Sequence, residues 1–138
     1  MQATATPHHW PIRIYYEDTD FGGVVYHANY LRFMERARTE FLRSLGIDQM
    51  ALFEGELRVA FAVRAMQIEF VKPATMDDLL DIATSVVKLG GASLVLDQVV
   101  TREQALLVKA RVTIVAVAGW RAVRLPQAVR LALETACE

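Results

Sequence analysis

One long amphipathic segment followed by several strand-like runs restricts the fold of this chain more than any other feature. Between residues 27 and 45, arginine and glutamate side chains occupy one helical face. The other face is apolar at three- and four-residue steps: Tyr30, Phe33, Met34, Ala37, Phe41, Leu42 and Leu45. This spacing predicts a single amphipathic helix. Gly46 follows it, where a left-handed residue commonly ends a helix.

Runs rich in β-branched residues surround this helix. One precedes it, at residues 10–18, and four follow it, at residues 57–72, 79–89, 92–101 and 106–118. Turn-forming residues separate the later runs, residues 48–56 form a short helical or looped passage, and a short helix is expected from Pro126. The order predicts an α+β domain in which a five-stranded antiparallel sheet wraps around one long helix.

Length and composition narrow the class of protein. The chain has 138 residues, of which 54% are hydrophobic and 22% charged, so we expect a single domain with a packed core. Residues 1–9 form a polar segment that we expect to be a flexible leader. The net charge of -1 argues against nucleic acid as a partner. Apolar faces and sheet edges, as around Val59, Phe61 and Val63, predict a homo-oligomer.

Three further sequence patterns bear on where the protein is located in the cell and on whether it binds a metal ion. Cys137 is the only cysteine, so no intrachain disulfide forms. Neither a signal peptide pattern nor an apolar run of about 20 residues is present, so we expect a cytoplasmic protein without a membrane span. His8 and His9 lack nearby carboxylates in the sequence, and no metal site is predicted.

The run YYEDTDFGGVVYHANY, at residues 15–30, combines a strand end, acidic residues, two glycines and a helix start. On a strand, Tyr16, Asp18 and Asp20 would share one face. Acidic residues before a glycine turn are also ordinary solvated turn formers. The helix start, however, offers unpaired backbone amides near His27 and Ala28. A carboxylate facing such amides suits a thioester, whose thiol leaves without a strong general acid.

The run EDTDFGGVVYHANYLRFMERARTEFLRSLG resembles the signature of the 4-hydroxybenzoyl-CoA thioesterase-like hot-dog proteins. It is most similar to the YbgC-type acyl-CoA thioesterases linked to the Tol-Pal system. The resemblance implies a hot-dog fold and hydrolysis of a fatty or aryl acyl-CoA without a cofactor. It also implies a dimer of dimers, a homotetramer, and allows an acyl carrier protein as a partner.

The same resemblance assigns site residues. Asp20 matches the catalytic aspartate, as nucleophile or general base, and the His27 amide would polarise the thioester carbonyl. The side chains of Tyr16 and His27 match positions that line the site, although His27 would also suit a solvated first helical turn. Four positions are expected to support substrate binding: Asp18, Gly23, Val25 and Asn29.

Several alternatives stay open at this stage. Asp18 and Asn29 would also serve as hydrogen-bonding groups of the loop, and Tyr30 and Phe33 fit the core better than the site. Basic residues for the CoA phosphates are only candidates: Arg64, Lys72, Lys88 and Arg111. Two other functions remain, a hot-dog binding or scaffold subunit and a hot-dog hydratase or dehydratase.

Overall fold

A computed structural model of the chain describes residues 6–137 and contains one sheet with three α-helices. The helices are α1 (His27–Ser44), α2 (Gln49–Glu54) and α3 (Gln127–Ala136), and a 3-10 helix spans Tyr16–Asp18. The strands are β1 (His8–Arg13), β2 (Ala60–Phe70), β3 (Leu79–Leu89), β4 (Ser93–Arg102), β5 (Ala105–Ala118) and β6 (Arg121–Ala122).

The sheet is antiparallel throughout, in the order β1-β3-β4-β5-β2, with the two-residue β6 paired to the end of β5. Its strands alternate between buried and more exposed residues, because successive side chains of a strand point to opposite faces. The buried face packs on α1, and the core of the sheet and helix includes Phe33, Met34, Ala37, Ile82, Leu96 and Val112. The predicted arrangement of a long helix against an antiparallel sheet is therefore confirmed.

The helix α1 ends as the sequence predicts. Gly46 has a φ of +81°, and its amide donates to the Arg43 carbonyl at 3.0 Å. The Ile47 amide donates to the Leu42 carbonyl at 3.1 Å, which completes the hydrogen-bond pair of a Schellman motif. Both Leu42 and Ile47 are buried, so the end of the helix is fixed to the core.

The N-terminal segment differs from its prediction. Residues 1–5 of the expected leader lie outside the described residues, but His8 and His9 belong to β1 rather than to a flexible leader. The strand pairs with β3 from His8 onward, and the His9 Nδ1 atom lies 2.7 Å from the Asp81 carboxylate. Pairing with a neighbouring strand, which local composition does not reveal, extends the ordered segment.

The first strand also ends earlier than predicted, at Arg13 instead of residue 18. Tyr16–Asp18 form a 3-10 helix because the Asp18 carboxylate accepts the Tyr15 amide at 2.8 Å and the Asp18 amide donates back to the Tyr15 carbonyl at 3.0 Å. The expected alternation of Tyr16, Asp18 and Asp20 on one strand face is therefore wrong. Acidic side chains compete for local backbone amides, and here they replace the strand by a turn.

None of the helices within residues 6–137 has the length and apolar character needed to cross a bilayer. The same residues contain no group of three or more histidine, cysteine, aspartate or glutamate side chains arranged to hold a metal ion.

Candidate active site

Asp20 lies in a tight loop between the 3-10 helix and α1. Its amide donates to the Val24 carbonyl at 2.9 Å, and its carbonyl accepts the Gly23 amide at 3.0 Å. The Asp20 Oδ1 atom accepts the Gly22 amide at 2.8 Å, and the residue is exposed. The Gly22 amide thus orients the Asp20 carboxylate. The other lone pairs of that carboxylate stay available to a ligand or to water.

The two glycines of this loop have different structural roles. A Cβ atom on Gly22 would lie 3.2 Å from Asp20 Oδ1, so a side chain there would crowd the carboxylate. Gly23 has a φ of +83°, in the left-handed region that glycine adopts without strain. The structure therefore gives Gly23, expected to support substrate binding, a backbone role in turning the loop.

The loop is joined to the first turn of α1 by Asp18. The Asp18 carbonyl accepts the Tyr26 amide at 3.0 Å and Asn29 Nδ2 at 2.8 Å. Asn29 therefore hydrogen-bonds the loop backbone, as its alternative interpretation predicted. Asp18, Tyr26 and Asn29 together fix the position of the acidic loop relative to the helix start.

The first backbone amides of α1 are available to a ligand. Tyr26, the residue before the helix, provides no side-chain cap. Within residues 6–137, the backbone hydrogen bonds at this helix start are donated by Tyr26 and Asn29, and none is donated by the amides of His27 or Ala28. Free amides and the positive end of the helix dipole favour a negatively charged oxygen here.

A cavity adjoins this helix start. Val25, His27 and Tyr30 line it on one side and Phe70 of β2 on the other, with a volume of about 230 Å³. The His27 ring centroid lies 6.0 Å from that of Phe70, at an edge-to-face angle of 79°. Val25 is buried, so it supports the wall mainly through packing. Phe70 is a wall residue that the sequence interpretation missed.

A second loop, residues 73–78, fixes this region from the other side. The Ala74 carbonyl accepts the Val25 amide at 2.9 Å, and the Ala74 amide donates to the Tyr30 hydroxyl oxygen at 3.1 Å. Burial raises the pKa of Tyr30, although the Ala74 hydrogen bond and the charge of Arg102 oppose the rise. Tyr30 and Phe33 are 3% and 1% exposed, so their predicted assignment to the core is confirmed.

Asp78 anchors the second loop. Its Oδ2 atom accepts the Thr75 amide at 2.8 Å and Arg102 Nη1 at 2.7 Å. Burial alone would raise the pKa of Asp78, but these donors and the positive charge of Arg102 outweigh it and lower that pKa. In the sequence, Asp78 is one of the turn-forming residues between the second and third predicted strands. Its contact with Arg102 depends on the β3–β4 register, which places Asp81 opposite Thr101.

Tyr16 is not drawn into this cluster. Its side chain is 78% exposed. Within residues 6–137 it makes no ring contact, and its hydroxyl makes no hydrogen bond. The structure therefore brings together the loop of Asp20, Asp18, Asn29 and the start of α1, and leaves Tyr16 at the rim.

The four basic residues that are candidates for binding the CoA phosphates have different surroundings. Arg111 is bound by both oxygens of Asp97, at 2.8 and 3.0 Å, so its charge is already compensated. Arg64 lies at the β2 bulge and Lys88 is exposed near the β3–β4 hairpin. Lys72 alone of the four lines the cavity beside His27.

Comparison with known proteins agrees with this architecture. The family model described as the thioesterase superfamily matches residues 22–109. The chain is 52% identical over 109 residues to the acyl-CoA thioester hydrolase YbgC of Escherichia coli O6:H1, covering 78% of this chain and 80% of that protein.

Solved structures give the same result. A probable thioesterase from Bartonella henselae is 41% identical with a TM-score of 0.84, covering 87% of this chain and 99% of that one. The 4-hydroxybenzoyl-CoA thioesterase of Pseudomonas sp. strain CBS-3 is 23% identical with a TM-score of 0.86, covering 93% and 99%, and supports the fold.

The helix wrapped by an antiparallel sheet defines a hot-dog protein, which confirms the predicted fold class. The chain belongs to the thioesterase superfamily and is a thioester hydrolase. The family resemblance read from residues 17–46 is thus confirmed. The scaffold and hydratase alternatives are not favoured, because the relatives that share most of this sequence are thioester hydrolases.

Proposed function

We propose that the protein hydrolyses acyl-CoA thioesters, with Asp20 as nucleophile or general base and the His27 amide as oxyanion donor. The observation that carries the proposal is the oriented, exposed Asp20 carboxylate in a loop hydrogen-bonded to a helix start whose first amides are free. The 52% identity to an acyl-CoA thioester hydrolase supports CoA as the thiol carrier.

The chemistry requires few groups. As the tetrahedral intermediate forms, negative charge develops on the carbonyl oxygen, and a preoriented amide at a helix N-terminus stabilises it. The leaving thiol has a pKa of about 8.5 if it behaves like cysteine, so it departs as a thiolate without a strong acid. A carboxylate and one or two backbone donors are therefore sufficient.

We expect the acyl group to occupy cavities that lie beside α1. The cavity beside His27 lies between α1 and β2. A second cavity, of about 620 Å³, lies further along the same two elements and is lined by the apolar residues Leu31, Val63 and Met66 and by four charged residues of α1. The apolar part of these walls favours a fatty or aryl acyl group over a short polar one.

The decisive experiment compares thiol release from a panel of acyl-CoAs by the wild type and by Asp20→Asn. Loss of the carboxylate is expected to lower kcat by roughly 10²- to 10⁴-fold, the range for a positioned acid or base. The matched control is Glu17→Gln, which removes a neighbouring exposed carboxylate. Equal turnover by wild type and Asp20→Asn would disprove the assignment of Asp20.

The two routes open to Asp20 are separated by a single turnover in ¹⁸O-labelled water. Attack by the carboxylate forms an acyl-aspartyl anhydride, and its hydrolysis at the aspartyl carbonyl leaves label in Asp20. Activation of water by Asp20 places the label only in the product acid. Mass spectrometry of the protein and of the acid distinguishes them.

A homo-oligomer would complete this site. β2 is an edge strand of 11 residues, and exposed strand edges are commonly covered by another chain. Large apolar side chains around the candidate site are also exposed: Tyr15, Tyr16, Phe21, Phe70 and Met76. We expect more than one copy in solution, as a dimer of dimers, and light scattering of the purified protein that gives a monomer mass would refute this.

A further inference from the structure

Arg38 is a charged residue in the middle of α1 that the proposed mechanism does not use. It is 6% exposed. Its Nη1 atom donates to Gln98 Oε1 at 2.9 Å, and its Nη2 atom donates to the Glu35 carboxylate. Burying a guanidinium group costs free energy unless the group is paired and hydrogen-bonded. The contacts with Gln98 and Glu35 therefore offset the cost of burying Arg38.

Gln98 fixes the orientation of this guanidinium. It is fully buried on β4, and its Nε2 atom donates to the Met34 carbonyl at 3.0 Å and to Thr84 Oγ1 at 3.1 Å. The amide oxygen is therefore turned toward Arg38 and holds Nη1 in place. The network joins the centre of α1 to two strands of the sheet.

One donor of Arg38 makes no hydrogen bond with the part of the chain that the structure describes. Within residues 6–137 its hydrogen bonds come from Nη1 and Nη2, and none from Nε. In the same residues, His8 Nδ1 is the only buried side-chain nitrogen or oxygen without a partner. Arg38 lines the 620 Å³ cavity between α1 and β2, so a ligand in that cavity would lie beside its guanidinium group.

The walls of this cavity are apolar along its length and positive at the helix side. Leu31, Val63 and Met66 supply the apolar part, whereas three arginines and one glutamate supply the charges: Arg32, Arg36, Arg38 and Glu35. Because positive groups outnumber negative ones, the cavity attracts an anion or a strong hydrogen-bond acceptor. Guanidinium groups are well suited to binding carboxylates.

The 620 Å³ cavity lies further along α1, toward its C-terminus, than the proposed reaction centre at His27. Arg38 is eleven residues after His27, about 16 Å along the helix axis at a rise of 1.5 Å per residue. Side chains of a helix lean toward its N-terminus, so the guanidinium approaches the His27 end. An extended acyl chain whose carbonyl lies at the His27 amide would place its distal end near Arg38.

We infer that this enzyme accepts acyl thioesters with a carboxylate at the far end of the chain, and that Arg38 selects for that carboxylate. The inference rests on the proposed function and names the substrate class for the same site. The chain of such an ω-carboxyacyl group contacts the apolar walls, and its carboxylate accepts hydrogen bonds from Arg38. Glu35, on the same wall, opposes the incoming negative charge.

The test measures kcat/KM for ω-carboxyacyl-CoAs of increasing length and for fatty acyl-CoAs of the same lengths. We expect the ω-carboxylate to raise kcat/KM over a limited range of lengths in the wild type. Arg38→Met should reduce this preference by roughly tenfold or more, as expected for loss of a charge-assisted hydrogen bond. Arg43→Met removes the same charge from the same helix outside the cavity, and should leave the preference unchanged.

Glu35→Gln provides a second test that keeps Arg38 itself in place. Glutamine keeps an oxygen that accepts the Arg38 Nη2 hydrogen bond, and removal of the Glu35 charge should increase the preference for the ω-carboxylate. The inference is overturned if the wild type shows no such preference, or if neither Arg38→Met nor Glu35→Gln changes it. Should Arg38→Met fail to fold, the Glu35→Gln result decides alone.

Different results would refute the proposed function and the inference about Arg38. Hydrolysis of fatty acyl-CoAs that depends on Asp20, without any effect of the ω-carboxylate, would refute only the inference about Arg38. An absence of thiol release from both series of substrates would refute the proposed function itself.

Discussion

Two aspartate–arginine pairs link neighbouring parts of the sheet, and they serve different purposes. Asp78 and Arg102 meet at the end of β4, where their side chains are 21% and 32% exposed. Asp97 and Arg111 form a two-bond pair between β4 and β5, with side chains 37% and 54% exposed. The second pair has the better geometry, yet the first holds more of the structure in place.

The difference lies in the surrounding backbone. Asp78 also accepts the Thr75 amide, Arg102 reaches the Pro73 carbonyl at 3.3 Å, and the Asp78 carbonyl accepts the Ile14 amide at 2.9 Å. This loop in turn binds Val25 and Tyr30 beside the candidate site. Within residues 6–137, the side chains of Asp97 and Arg111 hydrogen-bond only each other. Ion pairs at exposed positions contribute little, whereas a partly buried carboxylate that organises a loop contributes more.

The largest expected effect of breaking the first pair is on stability. Asp78→Ala removes the acceptor of the Thr75 amide and of Arg102, and should lower the free energy of unfolding by about 1–3 kcal/mol. Because the loop then supports Val25 and Tyr30 less firmly, kcat should also fall, by roughly tenfold to 10²-fold. Urea unfolding and steady-state kinetics with an acyl-CoA measure the two effects.

The matched control for that substitution is Asp97→Ala, which removes a carboxylate from the exposed pair. It should change the urea midpoint much less than Asp78→Ala and leave kcat unaltered. Equal losses from the two variants would contradict the role given to the 73–78 loop.

A smaller effect is expected on the pH dependence of the free energy of unfolding. The pKa of Asp78 is lower in the folded protein than its usual value of 3.8, so the unfolded chain binds the proton more tightly. The stabilisation is therefore complete above the usual value and is lost as the pH falls through the lower, folded pKa. Unfolding measured across this acidic range should depend less steeply on pH in Asp78→Ala than in the wild type. Identical slopes would show that Asp78 does not contribute to acid sensitivity.

The smallest effect is expected for Arg111→Met. Asp97 raises the pKa of Arg111 through a hydrogen bond and its negative charge, but the pair lies at the surface. Water and salt replace such contacts readily. The thermal midpoint and the acyl-CoA kinetics should match the wild type, and a marked fall in either would mean that this face of the sheet is covered by another molecule.

Much of the fold was predictable because it depends on local periodicity. The apolar residues of α1 recur at helical spacing, and the bounds His27–Ser44 differ from the prediction by one residue. The strand β3 matches its predicted range, and Gly46 has the expected left-handed conformation. These features follow from the side chains of each segment and from its immediate neighbours.

The candidate site was predictable only in part. The run around Asp20 identifies the family and the loop, but Tyr16 was placed on a strand face and lies at the exposed rim instead. Local hydrogen bonding by Asp18 turns the backbone there, which a pattern of alternating residues does not reveal. Phe70, 43 residues after His27, enters the wall of the cavity through the position of β2.

The sequence by itself determined the long helix, the strands that follow it, the glycine turn beside Asp20 and the thioesterase family. Tertiary structure alone decided which distant residues meet. Asp78 reaches Arg102 and Arg38 reaches Gln98 because strand register and the packing of α1 bring them together. Contacts of this kind depend on the whole sheet, so no short segment encodes them. The first contact fixes the loop that hydrogen-bonds Val25, close to Asp20, and the second orients Arg38 at the 620 Å³ cavity.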